Sequence, residues 1–171
     1  MKVFLIGMPA SGKSTIATEL STIFSYKKID MDEEIVKRER KSIEEIFTQE
    51  GEPYFRKIER QLLHRLSSED DLVISTGGGA ACFFDNMKQM NQSGITVFLN
   101  VSMEELASRI FTQKAQERPM FKGKTYQEVL ELLKHKFSER KTYYEKAQII
   151  IPGEGINASA IAQKIKVFFT F

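Results

Sequence analysis

The apolar run Val3-Phe4-Leu5-Ile6 passes directly into Gly7-Met8-Pro9-Ala10-Ser11-Gly12-Lys13-Ser14-Thr15. That stretch fits G-x-x-x-x-G-K-S between a buried strand and a helix, a pattern with few structural solutions. Each part has a physical task. Gly7 and Gly12 let the backbone turn tightly and approach an anion with no side chain in the way. Successive backbone N–H groups point into the turn, and the following helix adds the positive end of its dipole. Lys13 can reach the β- and γ-phosphates of a nucleotide, and the Ser14 hydroxyl can ligate Mg²⁺. A strand-to-helix turn that binds nothing is the alternative. The placement after a strand-like run and at the head of a helical stretch, 14–24, counts against it. The chain is expected to bind a nucleoside triphosphate.

Strand patterns occur at 2–6, 27–30, 72–76, 96–100 and 148–151. They are short and β-branched or aromatic, as strands buried on both faces of a parallel sheet are. Helical patterns alternate with them. Capping boxes mark helix starts at Ser42 with Glu45, Ser102 with Glu105 and Thr125 with Glu128. The helix from Thr125 carries Val129, Leu132, Leu133 and Phe137 on one face and continues toward Tyr144. Pro152-Gly153 separates the last strand from a final helix carrying Ile161, Ile165 and Phe168. The expected fold is α/β, a three-layer α/β/α arrangement around a five-stranded parallel sheet. At 171 residues the chain, 1–171, suits a single domain.

Two segments depart from simple alternation. Residues 31–67 show only helical pattern, so a helical subdomain is expected between the second and third strands. Residues 111–124 turn polar and poor in anchoring apolar side chains, and they contain Arg118-Pro119. Long loops in compact domains are functional or disordered. In a phosphoryl-transfer enzyme the expected use is a lid that closes over ATP and excludes water. The alternative is an ordinary surface loop.

Acids and glycines mark the strand ends. Ile29-Asp30-Met31-Asp32 falls at the carboxyl end of the second strand, the edge where open parallel sheets bind ligands. One acid would hold the Mg²⁺ shell and the other would orient or deprotonate an acceptor hydroxyl. Helix capping by Asp32, ahead of the helical run 33–39, is an equal reading. Gly77-Gly78-Gly79 follows Val73-Ile74-Ser75-Thr76. Three glycines in a row carry a backbone-entropy cost, which makes sense where a ligand must come close to the backbone.

Together these spacings resemble the shikimate kinase family over nearly the whole chain. The resemblance is carried by the phosphate loop, Ile29-Asp30-Met31-Asp32-Glu33-Glu34-Ile35, Ser42-Ile43-Glu44-Glu45-Ile46-Phe47 and Gly51-Glu52-Pro53-Tyr54-Phe55-Arg56. Glu59, Ser75-Thr76-Gly77-Gly78-Gly79-Ala80, Arg118-Pro119 and Arg140 with Tyr144 complete it. The resemblance implies transfer of the γ-phosphoryl group of ATP to the 3-hydroxyl of shikimate, with Mg²⁺, in the pathway to aromatic amino acids. It implies acceptor binding by Asp32, Arg56, Gly78, Gly79 and Arg140. Arg56 and Arg140 suit a carboxylate because a guanidinium offers a planar fork. It implies metal ligation by Ser14 and Asp30, and catalysis by Lys13, Asp32 and Arg118. ATP would contact Gly7, Pro9, Ala10, Ser11, Gly12, Lys13, Ser14 and Thr15, together with Arg109 near adenine and Arg118. The Pro152 turn would lie on the adenine side.

The chain also departs from the family pattern. Ala10 stands where many members carry a third loop glycine, and Lys141-Thr142-Tyr143 replaces a segment that often holds proline. The other acceptor reading is a gluconate-type sugar acid, and a reading of another class is a non-catalytic nucleotide-binding regulator. Intact Lys13, Asp32, Arg56 and Arg118 argue against the regulator. A net charge of +2 gives no reason to expect a nucleic-acid or membrane partner. The single cysteine, Cys82, cannot form an internal disulfide, fits a small core position and suits a reducing cytoplasm. No leader is evident before residue 2, and no apolar run approaches the ~18 residues of a membrane span. A soluble cytoplasmic monomer acting on small molecules is expected. His64 and His135 have no metal-ligand partners in the pattern and carry no assigned role.

Overall fold

The sheet has the strand order β2-β3-β1-β4-β5, and every pair in it is parallel. The computed structural model describes residues 1–112, 120–153 and 156–169. The strands are β1 (Lys2–Ile6), β2 (Lys27–Asp30), β3 (Leu72–Ser75), β4 (Ile95–Asn100) and β5 (Ile149–Pro152). Thr76, expected inside the third strand, lies just past it and donates both its N–H and its hydroxyl to the Leu5 carbonyl. The helices are α1 (Lys13–Phe24), α2 (Met31–Glu39), α3 (Ile43–Gln49), α4 (Gly51–Ser67), α5 (Asn86–Ser93), α6 (Met103–Thr112), α7 (Tyr126–Tyr144) and α8 (Ala158–Phe169). A short 3₁₀ turn covers Ala80–Cys82.

The period-two rule sorts β1 cleanly. Phe4 and Ile6 face the larger core with Ile74 and Phe98, packed on residues of α2 to α7. Val3 and Leu5 face the smaller core with Val73, Val97 and Leu99, packed on α1 and α8. Both faces of β1 are covered, so all five of its residues are buried. Segment 31–67 folds as α2, α3 and α4 with no strand among them.

Local signals set most helix ends. Ser42 with Glu45 and Thr125 with Glu128 form complete capping boxes. At α6, Ser102 Oγ accepts from the Glu105 N–H at 3.3 Å. The Glu105 carboxylate turns forward to Arg109 Nε at 2.9 Å. At α2 the cap is Asp30, not Asp32. Asp30 Oδ1 accepts from the N–H groups of Asp32 and Glu33, so the helix opens at Met31. Two apolar positions also differ from expectation. Phe168 on α8 is exposed although Ile161 and Ile165 are buried. Phe121, inside the polar 111–124 stretch, is wholly buried in the larger core, and Phe111 packs on Tyr126. Both ends of that stretch are therefore anchored.

Strand β1 is the switch point of this topology, since the chain fills β2 and β3 on one side and later β4 and β5 on the other. Its carboxyl end is where a ligand cleft is expected in such a sheet.

Candidate active site

The loop after β1 turns under three left-handed residues: Gly7 (φ 143), Ala10 (φ 62) and Gly12 (φ 93). A Cβ on Gly7 would stand 2.9 Å from the Leu99 carbonyl, so glycine is required there by room as well as by φ. Ala10 tolerates its angle at some strain, since a Cβ disfavours this region. Helix α1 begins with no side-chain cap and no acid in its first turn. Its leading N–H groups and dipole are thus available to an anion. Lys13 is buried and donates to the carbonyls of Gly7 (3.0 Å) and Met8 (2.8 Å) and to Ser11 Oγ (3.3 Å). The loop's own acceptors hold the ammonium beside the turn.

An oxygen cluster stands next to it. The β2–β3 register pairs Asp30 with Ser75. Ser14 Oγ donates to Asp30 Oδ2 at 2.7 Å and lies 3.2 Å from Ser75 Oγ. Asp30 thus divides its carboxylate, with Oδ1 capping α2 and Oδ2 facing Ser14. One carboxylate with hydroxyls, all hard oxygen donors, fits Mg²⁺, which takes few protein ligands and completes its shell from water and substrate phosphates. Among the described residues no cluster of three acidic, histidine or cysteine side chains competes as a metal site.

Across the cleft the three glycines are explained one by one, and none has positive φ. A Cβ on Gly77 would stand 2.8 Å from Glu59 Oε1 and 3.1 Å from Asp32 Oδ1. On Gly78 it would stand 3.1 Å from the Pro9 ring, and on Gly79 2.8 Å from Arg56 Nη2. The glycines give room to the protein's own side chains, so the turn brings the phosphate loop, α2 and α4 together at one place. Arg56 is buried with its guanidinium over the Phe83 ring, 4.1 Å from the centroid. It donates to Glu52 and to Glu59. Arg140 Nη1 donates to the Gly78 carbonyl at 3.3 Å, and the Tyr144 hydroxyl donates to the same oxygen. The segment Lys141-Thr142-Tyr143 simply continues α7, so Arg140 is aimed by an unbroken helix.

Glu59 is the most deeply buried acidic side chain of the site. Burial pushes its carboxyl up to about 7 despite the opposing pull of Arg56, and Asp32 adds to the rise. Its Oε1 has no hydrogen-bond partner among the described residues. Cys82, half-buried nearby, is pushed up to about 11 by burial and stays a thiol, as its reading as a packing residue requires.

Most of these groups border one cleft of about 970 Å³. Its walls include Pro9, Ala10, Ser11, Gly12, Lys13, Ser14, Thr15, Asp30, Asp32, Arg56, Gly78, Gly79, Arg109 and Arg140. Arg109 reaches the loop through a 3.4 Å hydrogen bond from Nη1 to the Ala10 carbonyl. Gly7, at the start of the loop, is not among the residues that line the cleft. Arg118 and two residues of the Pro152 turn, Glu154 and Gly155, lie outside the described residues.

The family model for shikimate kinase matches residues 9–169. The chain belongs to the shikimate kinase family. It is 43% identical to the shikimate kinase of Parabacteroides distasonis over 153 residues, 90% of this chain and 88% of that one. The crystal structure of shikimate kinase from Bacteroides thetaiotaomicron superposes with a TM-score of 0.91 at 35% identity, covering 100% of this chain and 99% of that one. Shikimate kinase from Acinetobacter baumannii, solved in complex with shikimate, gives 0.86 at 30% identity, covering 99% and 92%.

Two residues of this kinase's cleft, Ser75 and Glu59, and one behind it, Phe83, carried no role in the sequence reading. Ser75 ends a buried strand at the carboxyl edge, a position where a hydroxyl is itself a signal. Glu59 lies three residues after Arg56 on a face with Phe55, Ile58, Leu62 and Leu63, all buried. A carboxylate on such a face requires a partner. Phe83, which covers the Arg56 guanidinium, leaves no comparable trace, because it meets Arg56 only through the tertiary fold.

Proposed function

We propose that this kinase transfers the γ-phosphoryl group of ATP to the 3-hydroxyl of shikimate, giving shikimate 3-phosphate and ADP. The observation that carries the reading is the convergence of Arg56 and Arg140 on the Gly78-Gly79 turn, with Asp32 in the same cleft as the phosphate loop. Two guanidinium groups suit an acceptor carboxylate and a nearby carboxylate suits an acceptor hydroxyl. Shikimate offers both.

In this reading the loop N–H groups and Lys13 hold the β- and γ-phosphates. Ser14 and Asp30 would hold Mg²⁺, which would neutralise phosphate charge when bound. Arg56 and Arg140 fix the carboxylate, while Gly78 and Gly79 shape the ring's seat. Asp32 accepts from the 3-hydroxyl and takes its proton. Transfer is direct and in line, with positioning and charge neutralisation supplying the acceleration. Segment 31–67 serves as the acceptor-binding unit, and 111–124 as a lid that brings Arg118 to the phosphates. Arg109 lies toward adenine. No described helix is long and apolar enough to cross a membrane. That fits the cytoplasmic reaction we infer.

The test is a coupled ADP-release assay with shikimate and gluconate side by side. Turnover of shikimate alone is expected. Equal rates, or gluconate alone, would sink the assignment.

A further inference from the structure

The two carboxylates on Arg56 differ in what they can do. Glu59 is fully buried and takes Nη1 at 2.9 Å. Glu52, in the first turn of α4, is 51% exposed and takes Nε and Nη2 together on one oxygen, at 3.1 and 2.9 Å. Nε and Nη2 form one two-donor edge of the guanidinium, the geometry that receives a carboxylate as a fork. The Phe83 ring covers the flat surface of the same group, and Gly79 leaves room beside it where a Cβ would stand 2.8 Å from Nη2. A ligand therefore reaches Arg56 along its edges, and one edge already carries a carboxylate belonging to the protein.

We propose that Glu52 is an internal competitor for the acceptor's carboxylate, holding the Nε/Nη2 edge of Arg56 until the acceptor displaces it. The inference rests on the reading that Arg56 grips that carboxylate. Exchange is feasible because Glu52 is half in water and lines the cleft. Glu52 is the exposed partner of this pair, so its carboxylate regains water when it leaves and release is easy. Glu59 has no such freedom, since leaving Arg56 would strand a charge in the core. The buried acid is therefore the brace and the exposed acid the placeholder. Holding the fork in place keeps Arg56 aimed, and each acceptor that binds must first undo that contact, which lowers apparent affinity.

Calorimetric titration with shikimate, without nucleotide, tests the sign. Glu52→Gln removes the competing charge at nearly constant size, and Kd is expected to fall about threefold or more. Glu52→Ala, which removes the competitor outright, should shift Kd in the same direction. Glu59→Gln is expected to raise Kd, because it loosens the brace. If Glu52 merely supports Arg56, both Glu52 variants bind shikimate more weakly or unchanged, and the proposal is overturned. Arg56→Lys separates the two levels of inference. It is expected to weaken shikimate binding by about thirtyfold, from the loss of bidentate geometry, with ATP binding unaltered. If Arg56→Lys binds shikimate as the parent does, the reading of Arg56 falls and this proposal with it. If it weakens binding and Glu52→Gln fails to tighten it, only this proposal falls.

Discussion

The half of the cleft proposed to hold the donor is built mainly on one uninterrupted stretch, 7–15, whose groups are mainly backbone amides and a single lysine held by the stretch itself. The half proposed to hold the acceptor draws Asp32 from α2, Arg56 and Glu59 from α4, the Gly77-Gly78-Gly79 turn from the end of β3, and Arg140 from α7. A site made of local backbone asks little of the rest of the protein. A site made of distant charged side chains must bury them, pair them and leave room where they cross. The orphan oxygen of Glu59 and the three glycines without side chains are consequences of the second strategy.

If the halves differ in this way, damage to the donor half should strike chemistry and leave the fold alone. Lys13→Met is expected to lower kcat about a thousandfold, the scale of a lost transition-state donor, with the thermal unfolding midpoint nearly kept. Steady-state kinetics and a melt together check it. A fall in stability as large as the fall in rate would erase the contrast.

The acceptor half should instead carry a pH signature in stability. Burial raises the Glu59 carboxyl from 4.5 to about 7, so the folded protein holds that proton more tightly than the unfolded chain. The resulting stabilisation is fully present below about pH 4.5 and is lost as pH rises through about 7, with an amplitude on the order of 3 kcal/mol. Unfolding of the parent and of Glu59→Gln across pH 4.5–8 isolates this contribution, because the other carboxylates are common to both. Parallel curves would show that Glu59 titrates alike in both states.

Arg118 extends the contrast to segment 111–124, which we propose serves as a lid. Arg118→Ala is expected to cut kcat about a hundredfold, below the largest arginine-finger effects, because a finger acts where charge shifts during transfer. Binding of shikimate alone should change little. Wild-type kcat in this variant would make Arg118 an ordinary surface charge.

The smallest effect expected is at Ala10, whose φ of 62 carries strain that glycine would not. Ala10→Gly should alter stability by no more than about 1 kcal/mol, since relief of strain opposes the greater freedom of the unfolded chain. Nucleotide affinity should hold within about threefold, given that the loop's donors are backbone amides. A large loss of affinity would mean that the alanine side chain itself shapes the phosphate seat.

What the sequence determined by itself follows the same division. The phosphate loop, the five strands and the capping boxes at Ser42 and Thr125 are written in neighbouring residues, because dihedral preference, period and capping act over a few positions. Family resemblance added the roles of Arg56 and Arg140, and the structure brings both to one cleft with the glycine turn. Tertiary structure alone decided that Asp30 and not Asp32 caps α2, because Ser14 and the β3 register fix where that carboxylate points. It also decided that Phe121 is buried while Phe168 is not, since a facing helix layer, not a side chain's own hydropathy, determines which apolar residue leaves water. The reason for the triple glycine belongs to the tertiary structure as well. The atoms that a Cβ would crowd belong to Pro9, Asp32, Arg56 and Glu59, all far from the turn in sequence, and only folding brings them to it.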